Sequence, residues 1–306
     1  MKKIFQLIGA LGIVLAAHGQ QDPMLSQYMF NGLFLNPAYA GSHDYWTSTL
    51  TYRNQWIGLD GAPQTVVAAA DGRITTKNMG LGVILMHDRI GVTKQNTAMV
   101  NYAYQIKTGA NSKIALGISG GLSQFSADLT QLTVWDQDNV FNSDLTGRVI
   151  PRVGVGAYYY AKKYYAGISI PTLVAFQKGN NFNFDIHQTT FLRRHFLFTA
   201  GYIFSVAKDV KLRPSILLKY VRNAPLEADL NLSAVYKDVV WLSLSYRTGD
   251  ALAVIAEYQT NAHFRVGYAY DFTFSTLRNY SSGSHEIMIG YDFGKDLIKA
   301  KTPRYF

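Results

Sequence analysis

Cysteine is absent from the 306-residue sequence, which excludes a disulfide framework and the lipidated cysteine of a bacterial lipoprotein. Charged residues are scarce, at 16% against about 25% in soluble proteins. Beyond residue 17 no run of roughly 18 or more apolar residues occurs, so transmembrane helices are not expected. The chain therefore lacks the signatures of a disulfide-rich domain, a lipoprotein and a helical membrane protein.

Aromatic residues and glycine are abundant instead. Phe, Trp and Tyr make up 14% of the chain, glycine occupies 26 positions, and the mean hydropathy is −0.01. In a transmembrane β-barrel, lipid-facing apolar residues alternate with lumen-facing polar residues, so hydropathy averages out along the chain. We therefore predict an all-β fold, a transmembrane antiparallel β-barrel integral to the outer membrane.

The start of the chain has the organisation of a secretory signal peptide. Lys2 and Lys3 precede an apolar stretch over residues 4–17 and the small residues before Gln20. We predict that residues 1–19 are removed, which lowers the formal net charge of +9 by two. The remaining basic residues form no basic arm, so nucleic acid is not an expected partner. We expect them near lipid headgroups or paired inside the barrel.

Alternation with a period of two recurs over residues 46–293, the predicted barrel. In one stretch the apolar residues Leu230 and Leu232 alternate with Asp229, Asn231 and Ser233, which indicates a lipid face and a lumen face. About 14 such strands are predicted, and an even number closes an antiparallel barrel with both ends on one side. Their predicted centres lie near residues 50, 69, 83, 102, 118, 156, 167, 200, 216, 231, 243, 255, 267 and 289. Charges of both signs at lumen positions favour an internal network, although a solvated pore has the same composition.

Connection lengths support this strand count. The connections after even-numbered strands are tight, whereas those after odd-numbered strands include the long ones, over residues 54–64, 126–151, 171–194 and 271–283. Short periplasmic turns and longer external loops are typical of outer-membrane barrels. The last strand is predicted over residues 285–293. Residues 294–306 are predicted to form a basic periplasmic tail, either a contact site or a frayed end.

Residues 20–45 lack alternation, and the Asn36–Pro37 pair favours turn or extended backbone. Met29, Phe30 and Phe34 would be exposed to water in a free linker. We therefore expect this N-terminal segment under or inside the lumen, with a simple linker as the alternative.

Catalytic and metal-binding motifs are weak throughout. The sequence contains no HExxH, P-loop or nucleophile elbow, and Asp136 with Asp138 lacks the glycine and distal glutamate of a calcium loop. His263 and His285 are placed at lumen positions, with Glu286 pointing the opposite way. We predict no enzyme activity, no catalytic residue, no cofactor and no metal.

The two longest predicted loops contain aromatic residues among polar ones, a composition that suits protein binding. Loops that fold over the barrel mouth would have the same composition. The candidate partner-binding residues are Trp135, Phe141, Phe176, Phe182 and Phe184.

The stretch from residue 22 to 63 has the most particular residue order in the chain. It reads DPMLSQYMFNGLFLNPAYAG, then a first strand, then YRNQWIGLDGAP. In this order it resembles the PorP/SprF family of outer-membrane proteins associated with type IX secretion. The residues that carry the resemblance are Gln27, Tyr28, Asn36, Pro37, Tyr39, Gly41, Arg53, Gln55, Trp56, Gly61 and Pro63.

The resemblance implies a non-enzymatic outer-membrane barrel. By the resemblance, such a protein supports type IX secretion and binds or anchors the C-terminal domain of a secreted surface adhesin, in some cases linked to gliding motility. Its expected partners are that client, type IX secretion components and outer-membrane lipid. The alternative is a porin or small-molecule channel, which the same strand pattern would also produce.

Overall fold

The computed structural model describes residues 23–74, 78–131, 143–175, 194–222, 224–260 and 263–293. The predicted signal peptide and the predicted C-terminal tail lie outside these ranges and stay predictions. Within the described ranges, no helix has both the length and the apolar character needed to cross a membrane.

Antiparallel strands account for most of the described chain. The strands are β1 Trp46–Asn54, β2 Gln64–Ile74, β3 Met79–Ile90, β4 Thr93–Lys107, β5 Ser112–Ala127, β6 Leu145–Ala161, β7 Tyr164–Ala175, β8 His195–Tyr202, β9 Phe204–Ser205, β10 Val210–Val221, β11 Glu227–Tyr236, β12 Val240–Arg247, β13 Ala251–Gln259, β14 Phe264–Thr273 and β15 Ser284–Phe293. The predicted centre of every strand falls inside one of these elements.

The sheet closes on itself. Neighbours in sequence pair with one another, and β15 pairs with β1 in a register that sets Trp46 opposite Phe293. The short β9 continues β8 beyond Ile203, and both pair with β10, so the two segments form one barrel strand. The result is the predicted 14-stranded closed antiparallel barrel.

The predicted alternation is also confirmed. In β11, Asp229, Asn231 and Ser233 are buried in the lumen, whereas Leu230 and Leu232 are about half exposed on the outer face. Apolar residues on the outside and polar residues inside are the expected arrangement for a barrel in lipid. The phase predicted for His285 was wrong: it lies on the outer face beside Ile287, and Glu286 points inward and is fully buried.

The two ends of the barrel differ in their connections. At one end, called here the turn end, all six connections are short, and β1 begins there at Trp46. At the other, the loop end, the longest connections join β1 to β2, β5 to β6, β7 to β8 and β14 to β15. The strands are longer than predicted next to two of these loops: β5 reaches Ala127, β6 begins at Leu145 and β7 reaches Ala175. The connections predicted over residues 126–151 and 171–194 are therefore shorter.

Candidate functional site: the occupied lumen

Residues 23–45 lie inside the barrel and are called here the lumen segment. A 3-10 turn (Tyr28–Phe30), one α-helical turn (Gly32–Leu35) and a second 3-10 turn (Pro37–Tyr39) follow one another. Asn36 separates the last two, and its side-chain Oδ1 accepts a hydrogen bond from the Ala38 N–H at 2.9 Å. Pro37 suits the first position of the following turn because its φ is fixed and no N–H is needed there. The resulting segment is compact enough to fit between the walls.

The N-terminal part of the lumen segment is held by charge. Both oxygens of the Glu286 carboxylate accept backbone N–H bonds at 2.8 Å, one from Ser26 and one from Gln27. Arg53 donates to Glu286 at 3.2 Å and to Asp271 at 2.8 Å, and Ser26 Oγ donates to Asp271 at 2.7 Å. These side chains come from β1, β14 and β15, which are adjacent, and they lie near the loop end. We call this group the charged wall.

A single arginine thus lies between two buried carboxylates. The side chains of Arg53, Asp271 and Glu286 are 2%, 3% and 0% exposed. Buried charges are tolerated when they are paired and hydrogen-bonded. Two backbone N–H groups of the lumen segment also donate to the Glu286 carboxylate. The buried carboxylate and the buried N–H groups therefore have hydrogen-bond partners in each other. Next to this group, Arg247 bonds Asp229 at 3.1 Å and extends the network along β11 and β12.

The C-terminal part of the lumen segment is held by hydrogen bonds from Asn36 and by close packing on glycine residues of the barrel wall. Asn36 Nδ2 donates to the carbonyls of Ala157 and Ile168 at 3.0 and 3.2 Å, on the paired strands β6 and β7. A methyl group on Gly156 would overlap Asn36 Oδ1, and one on Gly117 would overlap the backbone of Ala38. Glycine at these inward positions allows the segment's backbone to approach the wall.

Closer to the turn end, glycine again allows the backbone of the lumen segment to lie against the barrel wall. Gly41 has a φ of +66° and packs on Gly80, where a methyl group would overlap the Ala40 carbonyl. The Gly41 N–H donates to Asp71 at 2.9 Å, and its carbonyl accepts from Gln105. A positive φ at close backbone contact favours glycine strongly. We call this surface of the barrel interior the glycine wall; it consists of Gly80, Gly117 and Gly156 on strands β3, β5 and β6.

Apolar side chains of the segment fill the space between the two walls. Phe30 packs edge-on against Trp241 with ring centroids 5.7 Å apart, and Tyr39 packs edge-on against Tyr158 at 5.6 Å. Tyr28 is also buried. Burial raises the pKa of the Tyr28 and Tyr39 hydroxyls above their ordinary value, so both stay neutral.

Two small cavities flank the segment. One of about 80 Å³ lies on its loop-end side between Phe34, Met86, Met99 and Arg152. Another of about 30 Å³ lies towards the turn end beside Asn31, Glu257 and Arg265. At about 10–15 Å³ per water, the smaller cavity holds about two water molecules and the larger about six. The lumen segment, most of whose side chains are buried, occupies the space between these two cavities.

At the loop end, residues 55–63 and 275–283 form a structured outer collar. The Ile57 N–H donates to the Gly283 carbonyl and the Ser282 N–H donates to the Ile57 carbonyl, both at 2.8 Å. Trp56 has an unusual φ of +52°, and its N–H donates to Ser284 Oγ at 3.1 Å. Leu59 and Tyr280 are 37% and 70% exposed on this collar.

The remaining motif residues are also in the collar. The Gln55 N–H donates to the Pro63 carbonyl at 3.0 Å, which closes the loop between β1 and β2. Gly61 has a φ of +72°, and its carbonyl accepts from the Gly91 N–H at 2.8 Å, which joins this loop to the turn between β3 and β4. The motif positions therefore divide into two groups, one in the lumen contacts and one in the collar.

The five aromatic residues predicted in the long loops lie outside the described residues: Trp135, Phe141, Phe176, Phe182 and Phe184. Among the residues that are described, no group of three or more His, Asp or Glu side chains is arranged to hold a metal ion. The sequence reasoning missed the roles of Glu286, Asp271 and Gly156. The signal for Glu286 was present, because it alternates with Ile287 and Ile289 on the lipid face.

The model of a protein family described as type IX secretion system membrane protein PorP/SprF matches residues 17–291. The chain belongs to the PorP/SprF family. With its closed 14-stranded barrel, this PorP/SprF protein is an integral, multi-pass protein of the outer membrane, as predicted. Short turns face the periplasm in such barrels, so the turn end is periplasmic and the loop end is external.

Solved structures align with the chain at low sequence identity, and three of them are the following. Omp33 of Acinetobacter baumannii is 8% identical, with a TM-score of 0.49 over 83% of this chain and 100% of that chain. The KdgM porin is 10% identical, with a TM-score of 0.40 over 82% and 99%. The TodX deltaS2S3 mutant monoaromatic hydrocarbon channel is 9% identical, with a TM-score of 0.46 over 85% and 92%. No curated protein sequence matches the chain.

Proposed function

We propose that this PorP/SprF protein is a non-enzymatic surface anchor. It binds the C-terminal domain of a secreted protein, such as an adhesin, at its external face, and it contacts other type IX secretion components. Where the secreted client is a motility adhesin, the anchor links the barrel to gliding. Family membership supports the secretion context, and the occupied lumen supports anchoring over diffusion.

The occupied lumen is the observation that carries this proposal. A diffusion porin needs a continuous water-filled path. Here the lumen segment is held at its external part by Glu286 and Arg53 and at its periplasmic part by the glycine wall. Ion pairs, backbone hydrogen bonds and close packing act on the same 23 residues, which favours a permanent structural part over a transient occupant.

The outer collar is the described surface best suited to receive a client. Its backbone is fixed by hydrogen bonds between the β1–β2 and β14–β15 loops, so little ordering is required on binding. Leu59 and Tyr280 supply exposed apolar contacts, and Asp60 lies beside Leu59. Apolar anchors with a polar rim are typical of protein interfaces. We include the predicted residues Trp135, Phe141, Phe176, Phe182 and Phe184 in the same binding face.

The absence of cysteine from the sequence allows a clean test. Single cysteines at Leu59 or Tyr280 would carry a thiol-linked photocrosslinker in intact cells, with Asn111→Cys in a periplasmic turn as the matched control. We expect the two external positions to crosslink to the C-terminal domain of a large secreted protein, identified by mass spectrometry, and the control position not to do so.

The porin alternative predicts the opposite pattern. If the collar positions captured no secreted client and the purified barrel conducted ions in planar bilayers, the anchor proposal would be abandoned. A barrel that captures the client and conducts only after the lumen segment is deleted would support it.

A further inference from the structure

Among the described residues, the exposed lysines of the periplasmic rim that form no ion pair lie on one side. Four of its turns, which join β4 to β5, β6 to β7, β9 to β10 and β11 to β12, follow one another around the barrel because these strands are consecutive in the sheet. Each turn has at least one exposed lysine at or next to it. We call these residues the basic arc: Lys107, Lys162, Lys163, Lys208 and Lys237.

The basic arc has little acidic compensation. Among the residues that the structure describes, none of its five lysines forms an ion pair. The same turns contain two exposed carboxylates: Asp238 is paired with Lys211 at 2.8 Å, and Asp209 follows Lys208 in sequence. Two other turns of the periplasmic rim differ from the basic arc in their described basic residues. Arg73 near the β2–β3 turn pairs with Asp44 at 3.0 Å, and Lys77 of that turn lies outside the described residues. The β13–β14 connection, residues 260–263, has no lysine or arginine.

Charges near the external end are balanced differently. Lys94 pairs with Asp128 at 2.9 Å and Lys219 pairs with Glu227 at 2.7 Å. These two lysines at that end therefore have protein partners of opposite sign, whereas the exposed Arg89 and Arg278 there form no ion pair among the described residues. The five lysines of the basic arc, in contrast, lie in four consecutive turns of the opposite rim.

A band of aromatic rings lies beside the basic arc on the lipid face. Tyr164 stacks on Tyr202 with centroids 6.3 Å apart, and Tyr202 contacts Phe204 at 4.5 Å. Tyr159, on the other side of the Lys162–Lys163 turn, has its ring centroid 5.9 Å from that of Tyr164. Aromatic girdles mark the level of the lipid headgroups in outer-membrane barrels. The lysines immediately beyond these rings are therefore placed at headgroup depth, where flexible stems can direct the ammonium groups towards phosphate.

We propose that the basic arc binds anionic phospholipid headgroups of the periplasmic leaflet, of the phosphatidylglycerol or cardiolipin class. Two independent features point to lipid: the unpaired lysines supply charge complementarity, and the aromatic band sets the depth. The one-sided placement implies that anionic lipid collects around strands β4 to β12 and not around the β13–β14 turn. A protein partner with an acidic surface would have no need for the adjacent aromatic band.

Native mass spectrometry of the full-length barrel, offered equal amounts of phosphatidylglycerol and phosphatidylcholine with matched acyl chains, would test this. We expect preferential retention of phosphatidylglycerol that weakens with salt and that soluble glycerol phosphate does not compete away. Neutralising three lysines should reduce the preference by about tenfold or more, since each basic residue contributes measurably near an anionic surface. The variant is Lys162→Gln/Lys163→Gln/Lys208→Gln.

The matched control removes three positive charges at the external end: Arg89→Gln/Arg222→Gln/Arg278→Gln. We expect it to keep the phosphatidylglycerol preference of the unaltered protein. Equal loss in both triple variants would show a non-specific charge effect and overturn the proposal, as would an unaltered protein without lipid preference. If the arc variant kept its lipid preference but lost a periplasmic protein on purification, the arc would be assigned to that protein instead.

Discussion

The two walls hold the lumen segment by different interactions: the charged wall by ion pairs and hydrogen bonds, and the glycine wall by close packing. The charged wall grips Ser26 and Gln27 through Arg53, Asp271 and Glu286, all nearly inaccessible to solvent. The glycine wall receives Asn36 to Gly41 mainly by leaving out side chains, and beside it a single carboxylate, Asp71, accepts from the Gly41 N–H. A buried ion-pair network loses stability when one charged member is removed, whereas a closely packed surface loses stability when an atom is added. The same segment is therefore sensitive to deletions at its external part and to additions at its periplasmic part.

The largest effect should come from breaking the charged wall at its centre. Arg53→Leu leaves Asp271 and Glu286 buried without their shared cation, and we expect a loss of about 3–5 kcal/mol in the free energy of unfolding. Urea titration of the barrel in detergent micelles would measure it. Arg53→Lys should recover only part, because an ammonium cannot form the two-pronged contact. A loss below about 1 kcal/mol for Arg53→Leu would contradict the assigned role of the charged wall.

The glycine wall should respond to a single added methyl group. Gly117→Ala places a carbon against the backbone of Ala38, and we expect about 1–3 kcal/mol of destabilisation from overpacking. Gly120→Ala is the matched control on the same strand, since no atom lies within 4 Å of its added carbon. Equal unfolding midpoints for the two variants would show that the glycine wall does not require glycine at position 117.

Asn36 tests the polar contacts on the glycine-wall side. Asn36→Ala removes the cap on the Ala38 N–H and both donations to strand carbonyls, so we expect a loss of about 1–2 kcal/mol. Asn96→Ala, at an exposed position where the side chain reaches His87, serves as control in the same urea titration. If Asn96→Ala lost as much free energy of unfolding as Asn36→Ala, the hydrogen bonds of Asn36 would not contribute more to stability than those of an exposed asparagine.

The smallest effect should come from the hydroxyl of Ser26. Ser26→Ala deletes the bond to Asp271 and the one from Arg53 but leaves the backbone N–H on Glu286 in place. We expect about 1 kcal/mol, with Ser48→Ala on the lipid face as control. If Ser26→Ala instead matched Arg53→Leu in the unfolding assay, the hydroxyl and not the guanidinium would be the main contact.

Much of the barrel could be predicted because its signals are local. A period of two, turn residues and connection lengths are each visible in short stretches, and they placed the centres of all strands correctly. The phase of His285 was predicted wrongly because its polarity was given more weight than its parity with Ile287. In the structure its Nδ1 is within 2.6 Å of the Tyr268 hydroxyl, on the lipid face near the external end.

The site was harder to predict because its contacts are distant in sequence. Gly117 and Gly120 look alike in the sequence, yet one meets the backbone of Ala38 and the other meets nothing. Which glycine faces the segment depends on how residues 23–45 enter the lumen, and no local pattern contains that information. Likewise, the motif identified Arg53 as important by resemblance, but its two carboxylate partners lie more than 200 residues away, at Asp271 and Glu286.

The bond between Ser26 and Glu286 joins the first described part of the chain to its last strand. Because side chains alternate along a strand, a slip of one residue in the pairing of β15 with β1 would turn Glu286 towards lipid and leave Ser26 and Arg53 unmatched. The contact between Ser26 and Glu286 therefore requires that the seam between β15 and β1 has closed in register, and a misaligned barrel would lose the charged contacts that hold the lumen segment.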